Sequence, residues 1–180
     1  MYMHIATEIV QGFVAGDKLA FHSLYESTRK QLYAVIYRMT ANQHDAEDLL
    51  HDVYVRIFEK RHTFKGEKAG LYTWMYRIAV NQTLNRLRSK RHWQKEIVFE
   101  PQIEDSLADL IDADDVRIVQ TILKNMNPDF KACLLLCETE HKTYEEIAGI
   151  LNISIGTVRS RISRGKTQLK KMFKEQGGQL

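Results

Sequence analysis

The sequence predicts an all-α fold of two small helical domains joined by an acidic linker. Apolar residues recur at intervals of three and four, and no segment alternates as a strand would. Charge is also divided into blocks. Residues 1–95 carry 15 basic and 9 acidic side chains, residues 96–115 carry 8 acidic and no basic ones, and residues 116–180 carry 11 basic and 6 acidic ones. We therefore expect domains at 1–95 and 115–180, a linker at 96–114, and an anionic partner that contacts both basic blocks.

Four helices are predicted in the first domain. Apolar residues between Ile5 and Phe13 indicate a short helix that ends near Gly16, and Asp17 can cap a longer second helix. A third helix is expected to start at Asp45, where acidic residues suit the positive end of the helix dipole. A fourth should follow a basic loop and run from Leu71 to Arg91.

The segment Tyr144–Val158 has the spacing of a helix-turn-helix, although an arbitrary helical hairpin could mimic it. Ile147 and Leu151 should pack inward, and Asn152 falls at a turn position that favours a left-handed residue. Unrolled at about 100° per residue, the second helix turns serine and arginine outward, with cations on its flanks. Such a helix suits the major groove, with outward residues reading base edges and flanking ones holding phosphates. The candidate duplex-binding residues are Gly156, Thr157, Arg159, Ser160, Arg161, Ser163, Arg164 and Lys166.

Aromatic and basic residues are mixed along the predicted fourth helix and the loop before it. Unstacked bases bind to aromatic platforms, and a single-stranded backbone binds to cations. Trp74 and Ile78 are explained equally well as core residues, but Tyr72, Tyr76, Asn81 and Asn85 are harder to explain in that way. The candidate single-strand-binding residues are Lys60, Arg61, Phe64, Lys65, Tyr72, Trp74, Tyr76, Arg77, Asn81, Asn85 and Arg88.

Three motifs resemble the sigma-70 family of bacterial RNA polymerase sigma factors, and they occur in the family's order. They are DAEDLLHDVYVRIF at residues 45–58, YTWMYRIAVN at 72–81, and YEEIA with GTVRSRI at 144–148 and 156–162. The small two-domain size is similar to that of the extracytoplasmic-function (ECF) group. The resemblance implies that the fourth helix and its loop melt and read the promoter −10 element, and that the helix-turn-helix reads the −35 element. It also implies that the third helix grips the largest subunit of core polymerase, through Asp45, Glu47, Asp48, His51, Asp52 and Arg56.

The resemblance implies a transcription initiation factor whose partners are core RNA polymerase, promoter DNA and an anti-sigma factor, with no cofactor. A stand-alone helix-turn-helix regulator is the alternative, but it leaves the third and fourth helices unexplained. An enzyme is not expected, because the sequence has no phosphate-binding glycine loop, zinc-protease motif or nucleophile elbow. It also lacks a signal peptide pattern and an apolar run of about 18 residues, so we expect a cytoplasmic protein without membrane insertion.

Cys133, Cys137 and His141 are spaced four apart and would form one row on a continuous helix. A metal site is not predicted, because a fourth ligand is not evident. We interpret the cysteines as small core residues, and leave open whether the row senses metal or redox state.

Overall fold

The computed structural model describes residues 5–66, 70–94 and 113–176, and within these ranges the chain is helical without a β-strand. This confirms the predicted all-α class. The helices are α1 Thr7–Ala15, α2 Lys18–Thr40, α3 Gln43–Glu59, α4 Gly70–Gln94, α5 Ala113–Asn125, α6 Pro128–Leu134, α7 Tyr144–Leu151 and α8 Ile155–Glu175. A 3-10 turn at Arg61–Thr63 and a π-helical turn at Leu135–Thr139 complete the elements.

The chain divides into two compact units within α4, one ending at Thr83 and the other beginning at Leu84. The predicted linker lies outside the described residues as far as residue 112. Its last two residues, 113 and 114, belong to α5. No described helix has the length and apolar character needed to cross a membrane.

Side-chain caps define the helix starts of the first unit. Asp17 accepts a hydrogen bond from the amide of Leu19 at 2.7 Å and starts α2, as predicted. Asn42 accepts from the amide of Asp45 at 2.8 Å, so α3 begins at Gln43 and the predicted start at Asp45 was wrong. Asp45 instead lies in the first turn of the helix, where its negative charge interacts favourably with the positive end of the helix dipole.

The core of the first unit joins α1 to α4. Phe13 is fully buried, and its ring centroid lies 6.4 Å from that of Trp74 on α4. The hydroxyl of Thr28 on α2 donates to the carbonyl of Leu24 at 2.6 Å and lies 2.6 Å from the hydroxyl of Tyr54 on α3. Burial raises the pKa of Tyr54 to about 12. This packing fixes the inner face of α3 and leaves its opposite face exposed.

In the second unit, α7 and α8 form the predicted helix-turn-helix. Thr143 and Glu146 form a reciprocal capping box at the start of α7, with hydrogen bonds of 3.2 and 2.9 Å. Asn152 ends α7 with φ of 52°, the left-handed conformation that the sequence predicted. Ser154 then accepts from the amide of Thr157 at 3.1 Å and starts α8.

Gly165 allows α8 to approach α6 closely. A Cβ atom at this position would lie 2.8 Å from Cδ1 of Leu134, which is too close for any real contact. Val158 and Ile162 are buried on the same side of α8, at 0% and 3% exposure. Close packing therefore fixes the inner face of α8, and this determines which of its residues point outward.

Candidate nucleic-acid and polymerase interfaces

The outward face of α8 carries most of the predicted duplex-binding residues. Those with exposed side chains or backbone are Gly156, Arg159, Ser160, Ser163, Arg164 and Lys166. Thr157 is half-buried, and its hydroxyl lies 2.8 Å from that of Ser154, so it helps to start the helix. The face combines arginine, serine and bare backbone, which can donate to and accept from base edges.

Arg161 lies on a different side of α8 from these residues. Its side chain is 21% exposed, and Nη1 lies 3.0 Å from Oδ1 of Asp129 on α6, without the alignment of a hydrogen bond. The structure thus places Arg161 against a buried edge of the unit, where a phosphate contact has little support. Asp129 lies in the first turn of α6, two residues after the N-cap Asn127. This ion pair therefore connects α8 to α6.

Lys166 is exposed, but it has a partner in the protein. Its Nζ lies 2.9 Å from Oε1 of Glu138, which belongs to the π-helical turn. The hydrogen bond from Lys166 lowers the pKa of Glu138, and the same bond raises the pKa of Lys166. A phosphate contact by Lys166 would therefore require it to leave Glu138.

A groove runs between the start of α7 and the outer side of α8. Its lining residues are Tyr144, Arg159, Ile162, Ser163, Lys166, Thr167 and Lys170. Sequence reasoning missed Tyr144 and Lys170 as contributors to this surface. The spacing could have identified Lys170, since it follows Lys166 by four residues and so shares its side of the helix.

The predicted polymerase-binding residues of α3 lie along one exposed face. Glu47, Asp48, His51, Asp52 and Arg56 are exposed, and Asp45 is half-buried. Their contacts are local: His44 lies 3.7 Å from Asp48, and Arg56 lies 3.1 Å from Glu59. Exposed pairs of this kind are weak, so a partner can replace them at little cost. Val55, 47% exposed, adds an apolar side chain to α3.

Arg61 contributes to the packing of the first unit. Nη1 donates to the carbonyl of Phe58 at 2.9 Å, and the guanidinium carbon lies 4.4 Å from the centroid of the Phe58 ring. A Cβ atom at Gly16 would lie 3.3 Å from Nε of Arg61. The prediction that Arg61 binds single-stranded DNA therefore has little support, whereas Lys60 and Lys65 in the same loop are exposed.

The aromatic residues of α4 divide into core and surface. Tyr76 is only 5% exposed, so it belongs to the core, which sequence reasoning had considered a poor explanation. Trp74 is half-buried between Phe13 and Phe64, with its ring centroid 5.7 Å from that of Phe64. Tyr72 is also half-buried. Among the α4 aromatic side chains that the structure describes, Tyr72 and Trp74 are thus the two that stay partly exposed.

Polar candidates continue along α4. Arg77 and Asn81 are half-buried, and Nδ2 of Asn81 donates to the carbonyl of Arg77 at 2.8 Å. Asn85 and Arg88 are exposed and contact each other at 3.3 Å, and Nη2 of Arg88 also donates to Oδ1 of Asp129 on α6 at 2.5 Å. Asn85 and Arg88 follow Asn81 at intervals of four and three residues, which keeps all three on one side of the helix.

The cysteine row predicted from a continuous helix does not form as expected. The helix changes to a π-helical turn at Leu135, and His141 follows its end with φ of 51°. Burial raises the pKa of Cys133 to about 11 and also raises that of Cys137, so both thiols stay protonated near neutral pH. Among the described residues, three or more His, Cys, Asp or Glu side chains do not cluster in a way that could hold a metal ion.

Comparison with known proteins places both units in one family. The models of sigma-70 region 2 and sigma-70 region 4 match residues 24–92 and 117–169, which together are more than half of the chain. The ECF RNA polymerase sigma factor SigE of Mycolicibacterium smegmatis is 35% identical over 166 residues, covering 86% of this chain and 63% of that protein. This chain thus spans less than two thirds of the mycobacterial relative.

Two further similarities agree with this one. The ECF RNA polymerase sigma-E factor of Haemophilus influenzae is 29% identical over 174 residues, which are 89% of this chain and 91% of that protein. The fold resembles that of sigma factor RpoE from Bartonella quintana, solved in complex with the anti-sigma factor NepR. Its TM-score is 0.66 at 22% identity, over 86% of this chain and 96% of that one. The chain therefore belongs to the sigma-70 family, in its ECF group of sigma factors.

Proposed function

We propose that this protein binds core RNA polymerase and directs it to promoters by recognising the −10 and −35 elements. One observation carries the proposal: a chain that matches both sigma-70 regions also exposes, on α8, a basic and polar recognition face. In this proposal residues 1–95 bind polymerase and the −10 element, residues 115–180 bind the −35 element, and residues 96–114 link them. The chemistry of RNA synthesis stays with the polymerase.

The −35 element would be read by the exposed residues of α8. Arginine can donate two hydrogen bonds to O6 and N7 of guanine, and the exposed Arg159 and Arg164 would do so. Ser160 lies between them, and its hydroxyl already donates to the carbonyl of Thr157 at 2.9 Å, which leaves its lone pairs to accept from a base. Lys166 and Lys170, which line the groove beside α7, would hold phosphates.

The −10 element would be captured as a single strand by α4 and the loop before it. Tyr72 and Trp74 offer partly exposed aromatic rings on which unstacked bases would stack. Lys60 and Lys65 supply positive charge for the phosphate backbone of the DNA strand. Asn85 and Arg88 extend this surface along the helix. Opening the duplex costs a few kcal/mol per base, and captured bases together with polymerase contacts would offset that cost.

The exposed face of α3 would bind the polymerase. We extend the proposal to an anti-sigma factor, since a structural relative is known in complex with one. Because polymerase and promoter DNA share the bacterial cytoplasm, the protein would act there. It would regulate the polymerase and would not itself be an enzyme.

Core polymerase binding can be tested by reversing charges on α3. Asp48→Lys combined with Arg56→Glu should abolish co-elution with purified core polymerase, since charge pairs across the contact would become repulsive. The matched control is Glu26→Arg with Arg29→Glu, which reverses an exposed pair of 3.2 Å on α2 and should leave co-elution intact. Co-elution of the α3 variant at wild-type level would contradict the assignment of α3.

Promoter opening can be tested with permanganate, which oxidises unpaired thymines. Core polymerase with this protein should produce reactive thymines at the −10 element, and core polymerase alone should not. Tight, specific duplex binding by the isolated protein, with no opening in the presence of core polymerase, would instead establish a stand-alone regulator.

A further inference from the structure

Ile155, the first residue of α8, has an apolar side chain that is partly exposed to solvent. It is 37% exposed, and it is the one exposed large apolar side chain in the part of the second unit that the structure describes. We propose that Ile155 reads the 5-methyl group of a thymine in the −35 element and so contributes to promoter specificity. This inference rests on the proposed function, because it needs α8 to enter the major groove.

The position of Ile155 is fixed by the cap that precedes it. Ser154 has extended backbone with ψ of 150°, and its Oγ accepts from the amide of Thr157 at 3.1 Å. In helix-turn-helix proteins the N-terminal residues of the second helix contact base edges. Ile155 precedes the exposed Arg159 by one turn, so the two lie on the same side of α8. In the major groove, Ile155 would therefore face the DNA on the same side as Arg159, one helical turn closer to the start of α8.

Gly156 leaves the backbone bare beside Ile155. A Cβ atom there would contact only Oγ of Ser154, at 3.8 Å, so packing within the protein does not require glycine. Glycine inside a helix costs roughly 0.5–1 kcal/mol relative to alanine. Because Gly156 has no side chain, another molecule can closely approach the backbone at the start of α8. Base edges can then come near Ile155.

The chemistry of the side chain selects the base. Isoleucine has no hydrogen-bond donor or acceptor, and thymine is the base that presents a methyl group in the major groove. Cytosine has only a hydrogen at C5, and its neighbouring amino group would lose water beside isoleucine and gain no acceptor. A β-branched side chain also has restricted χ1, so little rotamer freedom is lost on contact.

The test removes the methyl group from the DNA and the side chain from the protein, separately and together. Each thymine of the −35 element is replaced in turn by deoxyuridine, which lacks only the 5-methyl group, and the Kd of the polymerase holoenzyme for the duplex is measured. We expect one position where the replacement weakens wild-type binding about fourfold, the effect of burying one methyl group. Ile155→Ala should lose this sensitivity at that position, and Ile155→Val should keep it.

Two controls separate recognition from folding. Leu19→Ala removes another exposed apolar side chain, from α2 of the first unit, and should keep the wild-type pattern of thymine sensitivity. Circular dichroism should give Ile155→Ala a melting temperature close to wild type. An equal loss at every thymine in wild type and Ile155→Ala, or no loss anywhere, would overturn the inference. Failure of the wild-type holoenzyme to bind its unmodified promoter would overturn the proposed function itself.

Discussion

Lys131 should destabilise the second unit, and its removal should stabilise it. This lysine lies in α6 and is only 4% exposed. Burial, followed by repulsion from Lys124, lowers its pKa from 10.5 to about 8. One pKa unit corresponds to about 1.4 kcal/mol, so ionised Lys131 disfavours the folded state by about 3 kcal/mol.

The pH dependence follows from the direction of this shift. The unfolded chain keeps a proton on Lys131 up to about pH 10.5, whereas the folded chain releases it near pH 8. The unfolded state therefore binds more protons between pH 8 and 10.5, and stability rises with pH across that window. At pH 7 the lysine is charged in both states, and the whole penalty is present.

The assay is urea unfolding followed by circular dichroism at pH 7 and at pH 10. Lys131→Met, which keeps an unbranched side chain, should raise the free energy of unfolding by about 3 kcal/mol at pH 7. Its advantage over wild type should shrink as the pH rises through 8 to 10.5. Lys174→Met is the matched control and should change stability by less than about 0.5 kcal/mol, because Lys174 is exposed and does not act on Lys131. Equal stability of Lys131→Met and wild type at pH 7, or a constant difference across the window, would refute the reasoning.

Three further predictions concern the DNA-binding unit. Gly156→Ala should raise the free energy of unfolding by roughly 0.5–1 kcal/mol in urea denaturation while weakening −35 binding, and stronger binding would contradict this. Arg164→Ala should cost roughly 1–3 kcal/mol of base discrimination in holoenzyme binding, whereas Arg161→Ala should lower the melting temperature and leave base preference unchanged. Glu138→Gln should free Lys166 and tighten duplex binding, whereas Lys166→Gln should reduce the salt dependence of binding by about one phosphate contact; an unchanged salt slope in Lys166→Gln would exclude Lys166 from the phosphate contacts.

Helix faces and turns could be predicted from the sequence because they depend on local spacing. The pattern around Asn152 indicated the helix-turn-helix, since a left-handed turn and two apolar faces leave a short, characteristic signature. Helix ends were harder to predict. Asn42 and Asp45 are both good capping residues, and only the hydrogen bond between them shows which one starts α3. The sequence pattern did not indicate the π-helical turn at Leu135–Thr139. Cys133, Cys137 and His141 were therefore predicted to share one face of a continuous α-helix, but α6 ends at Leu134.

Burial of charged and aromatic residues could not be predicted from residue type. Arg61 and Arg161 were assigned to DNA because arginine often binds phosphate, but the fold places Arg61 beside Gly16 and Arg161 beside Asp129. Tyr76 and Lys131 occupy core positions for the same reason. The reverse holds for Ile155, an apolar residue that the first turn of α8 leaves 37% exposed.

The central claim is that this chain gives core RNA polymerase its promoter specificity. The most direct measurement is transcription in vitro by purified bacterial core polymerase, with and without the protein, on a fragmented genomic library from the source organism. The account predicts discrete run-off transcripts that require the protein and share −10 and −35 elements upstream of their start sites. Transcripts that are the same without the protein, together with failure of the protein to co-elute with core polymerase, would contradict it.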